Sequence, residues 1–331
     1  MRGAEGRVNL GPPVITVGAV ALVFALTAAL GADASTGSVD SDVFVGGVPW
    51  TVWRMVAAAA VVLFLAVIVT AVRVLVEVDR WGIVASKSTR WTYLAFATAG
   101  AGALIVGRLV ASGNNPDLPV KNLELRTGAV LLTGLIATIP WLVLVWLAHE
   151  TCHLLQRRIE LLPPIPTRTE ESAAASLVGG AELHREVISR LLRLWDLLVL
   201  CVGVFALGVV AAIVTSSTLR AAFIDVHPDR ERDFPAVNVL YYGALFAVIA
   251  SVLSVPLVAA WRRCAQHVVD RAYPLPADGQ PTEAWVAARA RLEVLLHLNV
   301  SLLRNPLTGL AVLSPLLTSA LAAFIPQLAK S

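Results

Sequence analysis

An all-α fold of six or seven membrane-spanning helices, with an amphipathic helix on one side, is predicted by three observations. Of the 331 residues, 57% are apolar and only 15% are charged, against about 25% charge in soluble domains. The mean hydropathy is +0.75. Several apolar runs reach roughly 20 residues, enough to cross a hydrocarbon core of about 30 Å as helices. The net charge of +3 comes mostly from arginines that flank these runs. Charges so placed orient a chain in a bilayer and give no reason to expect a nucleic-acid partner.

The chain reads as one integral membrane domain, residues 1–331, with the lipid bilayer as its first partner. The apolar runs, in order, are Val14–Gly31, Val52–Leu75, Thr92–Ala111, Gly128–His149, Leu194–Ser217, Ala236–Ala260 and Pro306–Ile325. The first six read as complete spans. The seventh carries Pro306, Pro315 and Pro326. It either spans, with neighbours satisfying the freed carbonyls, or breaks at Ser314-Pro315 into a re-entrant hairpin. After the first run, Ala32-x-Ala34 resembles a signal-peptidase site, although the preceding run is longer than a usual signal h-region.

Orientation follows from the lysines and arginines between spans. With the N-terminus inside, 18 of the 26 fall in inner segments and 8 (Arg54, Arg108, Lys121, Arg126, Arg220, Arg230, Arg232 and Lys330) in outer ones. The expectation is an N-terminus on the cytoplasmic side of a plasma (inner) membrane. Abundant Ala, Val and Arg with few Lys and Met fit a bacterial, high-GC source.

The outer loops, Gly31–Pro49, Ser112–Arg126 and Arg220–Pro235, are short and turn-rich, none long enough to form a domain. Two longer inner loops, 154–193 and 262–305, are expected. The first holds Pro163-Pro164-Ile165-Pro166 and then a helix from about Glu182 leading into the fifth span. In the second, Pro281 suits the first position of a helix. From there Trp285, Ala288, Leu292, Leu295 and Leu296 recur at helical spacing, with Arg289, Glu293 and His297 on other faces. The apolar stripe of this helix is suited to the membrane surface or to the protein's own bundle. In the third span, Ala95, Ala99, Ala103 and Gly107 line one face with small residues. That pattern serves close packing within the chain or a homo-oligomer interface.

One motif carries chemistry. His149-Glu150-Thr151-Cys152-His153 reads H-E-x-x-H and resembles the zinc-binding helix of zincin peptidases. Positions i and i+4 put both imidazoles on one helix face toward a single Zn²⁺, and Glu150 would act as the general base on metal-bound water. Gln156 and Ile159 stand where the metzincin continuation has Gly and His, so that class is excluded. A third ligand would come from Glu182, in Glu182-Leu183-His184-Arg185-Glu186, from Glu186 itself, or from Asp196 at the start of the fifth span. The competing reading makes the motif the boundary where span four meets the inner aqueous phase. Glu150 would then pair with Arg157, Arg158 or another arginine, and Asp196 with Arg190 or Arg193. The three cysteines, Cys152, Cys201 and Cys264, form no C-x-x-C pair and read as free thiols.

Three function classes follow. A zinc peptidase uses the motif. A transporter or channel needs polar groups in the spans, and the span centres hold only small hydroxyls and amides: Ser251 and Ser254 beside Pro256, and Ser314, Thr318 and Ser319 around Pro315. That disfavours a proton-coupled pump and leaves a passive oligomeric pore. The third class, a membrane scaffold or regulatory subunit, would use the proline-rich patch and the amphipathic helix as docking surfaces. No nucleotide-binding signature is present. The expected character is non-enzymatic, with the metallopeptidase as the alternative.

Overall fold

The computed structural model describes residues 11–80, 87–110, 118–160, 174–276, 279–299 and 317–318. These residues form helices and connections, with no strand among them. The helices are α1 (Gly11–Gly31), α2 (Val39–Gly46), α3 (Val48–Arg80), α4 (Lys87–Val110), α5 (Leu123–Ile159), α6 (Ala174–Val226), α7 (Ala236–Ala272) and α8 (Glu283–Leu295). Five segments are long and apolar enough to cross a membrane: Val14–Gly31, Val48–Val78, Leu123–Ile159, Glu182–Val226 and Val239–Ala272. This is a helical membrane protein. The third expected span, Thr92–Ala111, falls on α4, which is helical to Val110. The seventh, Pro306–Ile325, and the Pro163–Pro166 patch lie outside the described residues, except that Leu317 and Thr318 are helical.

Helices α3, α5, α6 and α7 make the central bundle, with α1 packed on α3 and α4 on α5. Successive long helices alternate in direction. Their ends define a basic end, with Arg157, Arg158, Arg262 and Arg263, and a cap end, with Trp50, Leu118 and Phe223. Two buried tryptophans stitch the bundle across helix pairs. The Trp141 indole of α5 donates to the Val67 carbonyl of α3 (3.2 Å), and Trp261 of α7 donates to the Leu191 carbonyl of α6 (2.8 Å). Each bond offsets the cost of taking an indole N–H out of water. At Gly134 of α5, the ring of Phe64 from α3 lies where a side chain would begin, so glycine permits this close crossing.

Prolines 140 and 256 sit inside α5 and α7. Beside Pro256, the Ser251 and Ser254 hydroxyls donate to the Ala247 and Ala250 carbonyls at 2.7 and 2.6 Å. These hydroxyls are satisfied within their own helix.

The central helices are longer than their apolar runs. At 37, 53 and 37 residues, α5, α6 and α7 would measure about 55, 80 and 55 Å if straight. Much of the expected inner loops is therefore helix. Residues 154–159 continue α5, α6 begins at Ala174, and 262–272 continue α7. The physical reason is that the apolar seam does not stop at the arginines. Leu155 and Ile159 pack with Val187 and Leu191 and with Val268, Val269 and Ala272 in the same core. Arginine stems accompany this packing while their heads reach water.

Helix α8 settles against the bundle. Its N-cap Thr282 accepts from the Trp285 N–H. Along its length the Trp285 indole meets the Pro274 carbonyl, Arg289 bonds Asp270 at 2.7 Å, and the Leu298 carbonyl accepts from Arg262. The partner numbers fall as the α8 numbers rise, so α8 runs antiparallel to the end of α7. Leu292 and Leu296 enter the core, whereas Leu295 is half exposed. Arg289 turns toward α7, which the sequence pattern had placed on another face. Beside Asp270 and Glu293 its pKa is held above the usual value; burial works against this, and the two carboxylates outweigh it. The helix ends in a Schellman turn: the Leu298 N–H reaches the Glu293 carbonyl and the His297 N–H the Val294 carbonyl. His297 takes the left-handed conformation there (φ 52°) that usually calls for glycine. Its ring stacks on Trp195 (5.3 Å), which offsets the strain.

At the other end, the expected outer loops join into a cap with its own apolar cluster: Ala34, Phe44, Trp50, Trp53, Leu118, Val120 and Phe223 are among its members. Trp50 and Trp53 stack at 4.6 Å. Arg126 of α5 donates to the Leu30, Ala32 and Lys121 carbonyls, and Arg54 of α3 lies over Gly31. Buried Ser41 donates to the Pro119 carbonyl (2.7 Å) and accepts from the Thr36 N–H. Ala34, in the sequence that resembles a signal-peptidase site, is buried here, its carbonyl bonded to the Lys121 N–H.

Candidate functional site

The H-E-x-x-H motif lies near the basic end of α5. One side of this helix, Trp141, Leu144, Ala148, Cys152, Leu155 and Ile159, is buried in the bundle core. Val143 and Leu147 on another side pack on Ala97 of α4. His149 and His153 occupy the remaining side, half-buried and exposed respectively. Their rings meet edge to face with centroids 4.8 Å apart. The structure thus brings together the two imidazoles that the spacing predicts on one face. Between them, Thr151 is buried and donates to the Leu147 carbonyl (2.7 Å).

Glu150 points elsewhere, toward α4, where it faces the hydroxyl of Tyr93. Tyr93 also packs on Trp146 (5.7 Å). No ion pair joins Glu150 to Arg157 or Arg158 among the described residues; Arg158 instead bonds Glu186 (3.2 Å), which also pairs with Arg190 (2.5 Å). Glu186 is thereby committed to two guanidiniums. Glu182 and Asp196 are exposed. Neither makes an ion pair among the described residues, so the expected pairing of Asp196 with Arg190 or Arg193 is not formed. Among the described residues, no group of three His, Cys, Asp or Glu side chains comes together in a way that would hold a metal ion.

Behind the histidines lies a contact that spacing does not reveal. The Cys264 thiol of α7 reaches the Cys152 carbonyl at 3.2 Å, both residues buried. All three cysteines are free thiols. The two residues are 112 positions apart. Aligning spans four and six by their terminal arginines would have separated the two cysteines, since Cys152 precedes Arg157-Arg158 and Cys264 follows Arg262-Arg263. One turn from this contact, Trp261 packs on Trp195 (4.6 Å) and Arg263 is close enough to His149 to act on its charge. Tryptophan, tyrosine and arginine thus gather around the motif, the residue set that membrane proteins place at a water boundary.

The third-span stripe is also resolved in part. On α4, Ala97 and Ala101 are buried, and Ala95, Ala99 and Ala103 face outward. The small-residue face is not the one that packs within the chain. No protein-family model matches the sequence, and no curated protein or solved structure is significantly similar to it.

Proposed function

We propose that this protein is a non-enzymatic membrane scaffold or regulatory subunit that presents the extended basic end of its bundle as a docking platform. The observation that carries the reading is the continuous apolar core running from the spans into that extension, closed at its tip by α8. Such a core supports a rigid projection whose outer surface carries Arg157, Arg158, Arg185 and Arg271, all exposed. Within the bundle, the side chains that fill the centre are Trp141, Leu144, Leu194 and Trp261, and the serines near Pro256 are spent on their own helix. Among the described residues, these features give no support to a conduction path through one chain. Self-association through the Ala95, Ala99, Ala103 and Gly107 face of α4 belongs to the same proposal, since small residues facing outward let a second helix approach closely. The 18 lysines and arginines on one side support a cytoplasmic N-terminus in a plasma (inner) membrane.

The test is co-purification from native membranes, with the wild type compared against a variant carrying Arg157→Glu, Arg158→Glu and Arg271→Glu. A stoichiometric partner that the variant loses is the expected result. A wild type that emerges alone, with no protein near one equivalent, sinks the scaffold reading.

A second reading, a zinc metallopeptidase, draws on the adjacency of His149 and His153. Those two residues would hold Zn²⁺, with Glu150 as base and Glu182 or Asp196 as third ligand after a rearrangement of α6. Elemental analysis of protein purified without chelator checks it. Zinc near one equivalent, lost in His149→Ala and kept in Glu150→Gln, supports this reading; less than about a tenth of an equivalent ends it.

A further inference from the structure

At the cap end, α6 and α7 are joined by a 3₁₀ turn, Pro228–Asp233. Over it opens a cavity of about 420 Å³, lined by Arg220, Asp229, Glu231, Arg232 and two prolines. The cavity is open to its surroundings over most of its boundary and lined mainly by charged side chains and prolines, which suits an exposed polar head group. Its floor is neutralised: buried Arg220 bonds Glu231 (2.8 Å) and the Phe234 carbonyl (2.9 Å). The turn contains two acid–base combinations three residues apart. Arg230 and Asp233 close into an ion pair at 2.8 Å and lie off the cavity. Asp229 and Arg232, which do line it, make no ion pair among the described residues. The cavity therefore offers one open carboxylate and one open guanidinium above a balanced floor.

A ligand matched to that arrangement carries one anionic group and one ammonium. A purely anionic head group would gain Arg232 and meet Asp229; a zwitterion satisfies both. The cavity also borders Ala236, the first residue of α7. From there Val237, Tyr241, Leu245, Val248, Val252 and Val255 form an exposed apolar stripe down the helix. A head group in the cavity would have its acyl chains alongside that stripe.

We propose that this cavity binds the head group of an aminophospholipid of the phosphatidylethanolamine type, with phosphate on Arg232 and ammonium on Asp229. Arginine suits phosphate through paired charge-assisted hydrogen bonds. The site is independent of the docking proposal at the basic end.

Native mass spectrometry of the full chain, released from detergent with equal amounts of phosphatidylethanolamine and phosphatidylglycerol, tests the assignment. The wild type should retain phosphatidylethanolamine about tenfold more than phosphatidylglycerol. Asp229→Asn should lose that preference, and Arg232→Ala should lower retention of both lipids. Arg230→Ala, adjacent but already paired outward, should leave retention unchanged. Asp229 and Arg232 are exposed, and unaltered thermal unfolding confirms that each variant is folded. Equal retention of the two lipids by the wild type would overturn the proposal, as would wild-type retention by both variants. Displacement of the lipid by an equal concentration of soluble phosphoethanolamine would overturn the choice of a lipid over a free zwitterion.

Discussion

The two ends of this molecule solve the same packing problem by different means. The basic end is built from the continuation of helices α5, α6 and α7, and its cohesion is apolar: leucines, valines and alanines in register, sealed by Trp261 and by Leu292 and Leu296 of α8. The cap end gathers pieces from four stretches of chain, residues 30–50, 118–126 and the two sides of the 220–235 connection. Its cohesion adds to an apolar cluster around Trp50, Trp53 and Phe223 a set of side chains that reach backbone carbonyls, with Arg126, Ser41 and Arg220 each bonded to a segment distant in sequence or beyond a turn. A helix extension inherits its hydrogen bonds from the helix. A cap of loops has to satisfy its backbone groups by side chains, one at a time.

That contrast predicts a graded response to substitution. The largest effect is expected for Trp261→Ala, which removes a fully buried ring and its bond to Leu191. A loss of about 3–5 kcal/mol, read by denaturant unfolding in detergent, should appear as cooperative weakening of the whole basic end. Arg220→Ala should cost about 2 kcal/mol, because Glu231 returns to water while the Phe234 carbonyl loses its donor. Hydrogen exchange should rise over residues 220–235 and remain unchanged around Leu155 and Val268. If exchange rises equally at both ends, the two regions are one cooperative unit and the comparison fails. Ser41→Ala should cost about 1 kcal/mol, seen as local exchange near Thr36 and Pro119. The smallest effect is expected for Arg289→Ala, about 0.5 kcal/mol, because its partners Asp270 and Glu293 are partly exposed and solvent screens the pairs. Protease cleavage near the α7–α8 connection should increase while the midpoint of global unfolding barely moves.

Legibility in the sequence divides along the same line. Spans one, two, four, five and six were visible because lipid demands uninterrupted apolar runs, and the long helices at those places follow. Their true lengths were not visible. Arg157-Arg158 and Arg262-Arg263 read as the end of apolar character, yet the buried seam through Leu155, Ile159, Val268 and Ala272 continues past them at helical spacing. The amphipathic helix is legible near its actual start, with Leu292 and Leu296 on its apolar stripe. Its inward-facing Arg289 was hidden because an arginine satisfied by Asp270, 19 residues away, looks the same in sequence as one in water. The cap escaped detection altogether, since Ser41 and Pro119 are joined by a bond across 78 residues that no local pattern announces. At the motif, helical spacing correctly placed His149 and His153 side by side. What it could not supply was the position of groups on other helices, such as Tyr93 against Glu150 and Cys264 behind Cys152.

Helix α6 takes part in both ends. It has no proline along its 53 residues and carries Leu191 in the basic extension and Arg220 in the cap. A single helix of that length is a mechanical link between the two ends. A tilt of a few degrees imposed where Leu191 meets Trp261 would be delivered, amplified by the lever arm, as a displacement of several ångström at Arg220. An event at one end of the bundle would thus reach the cavity at the other through a single helix.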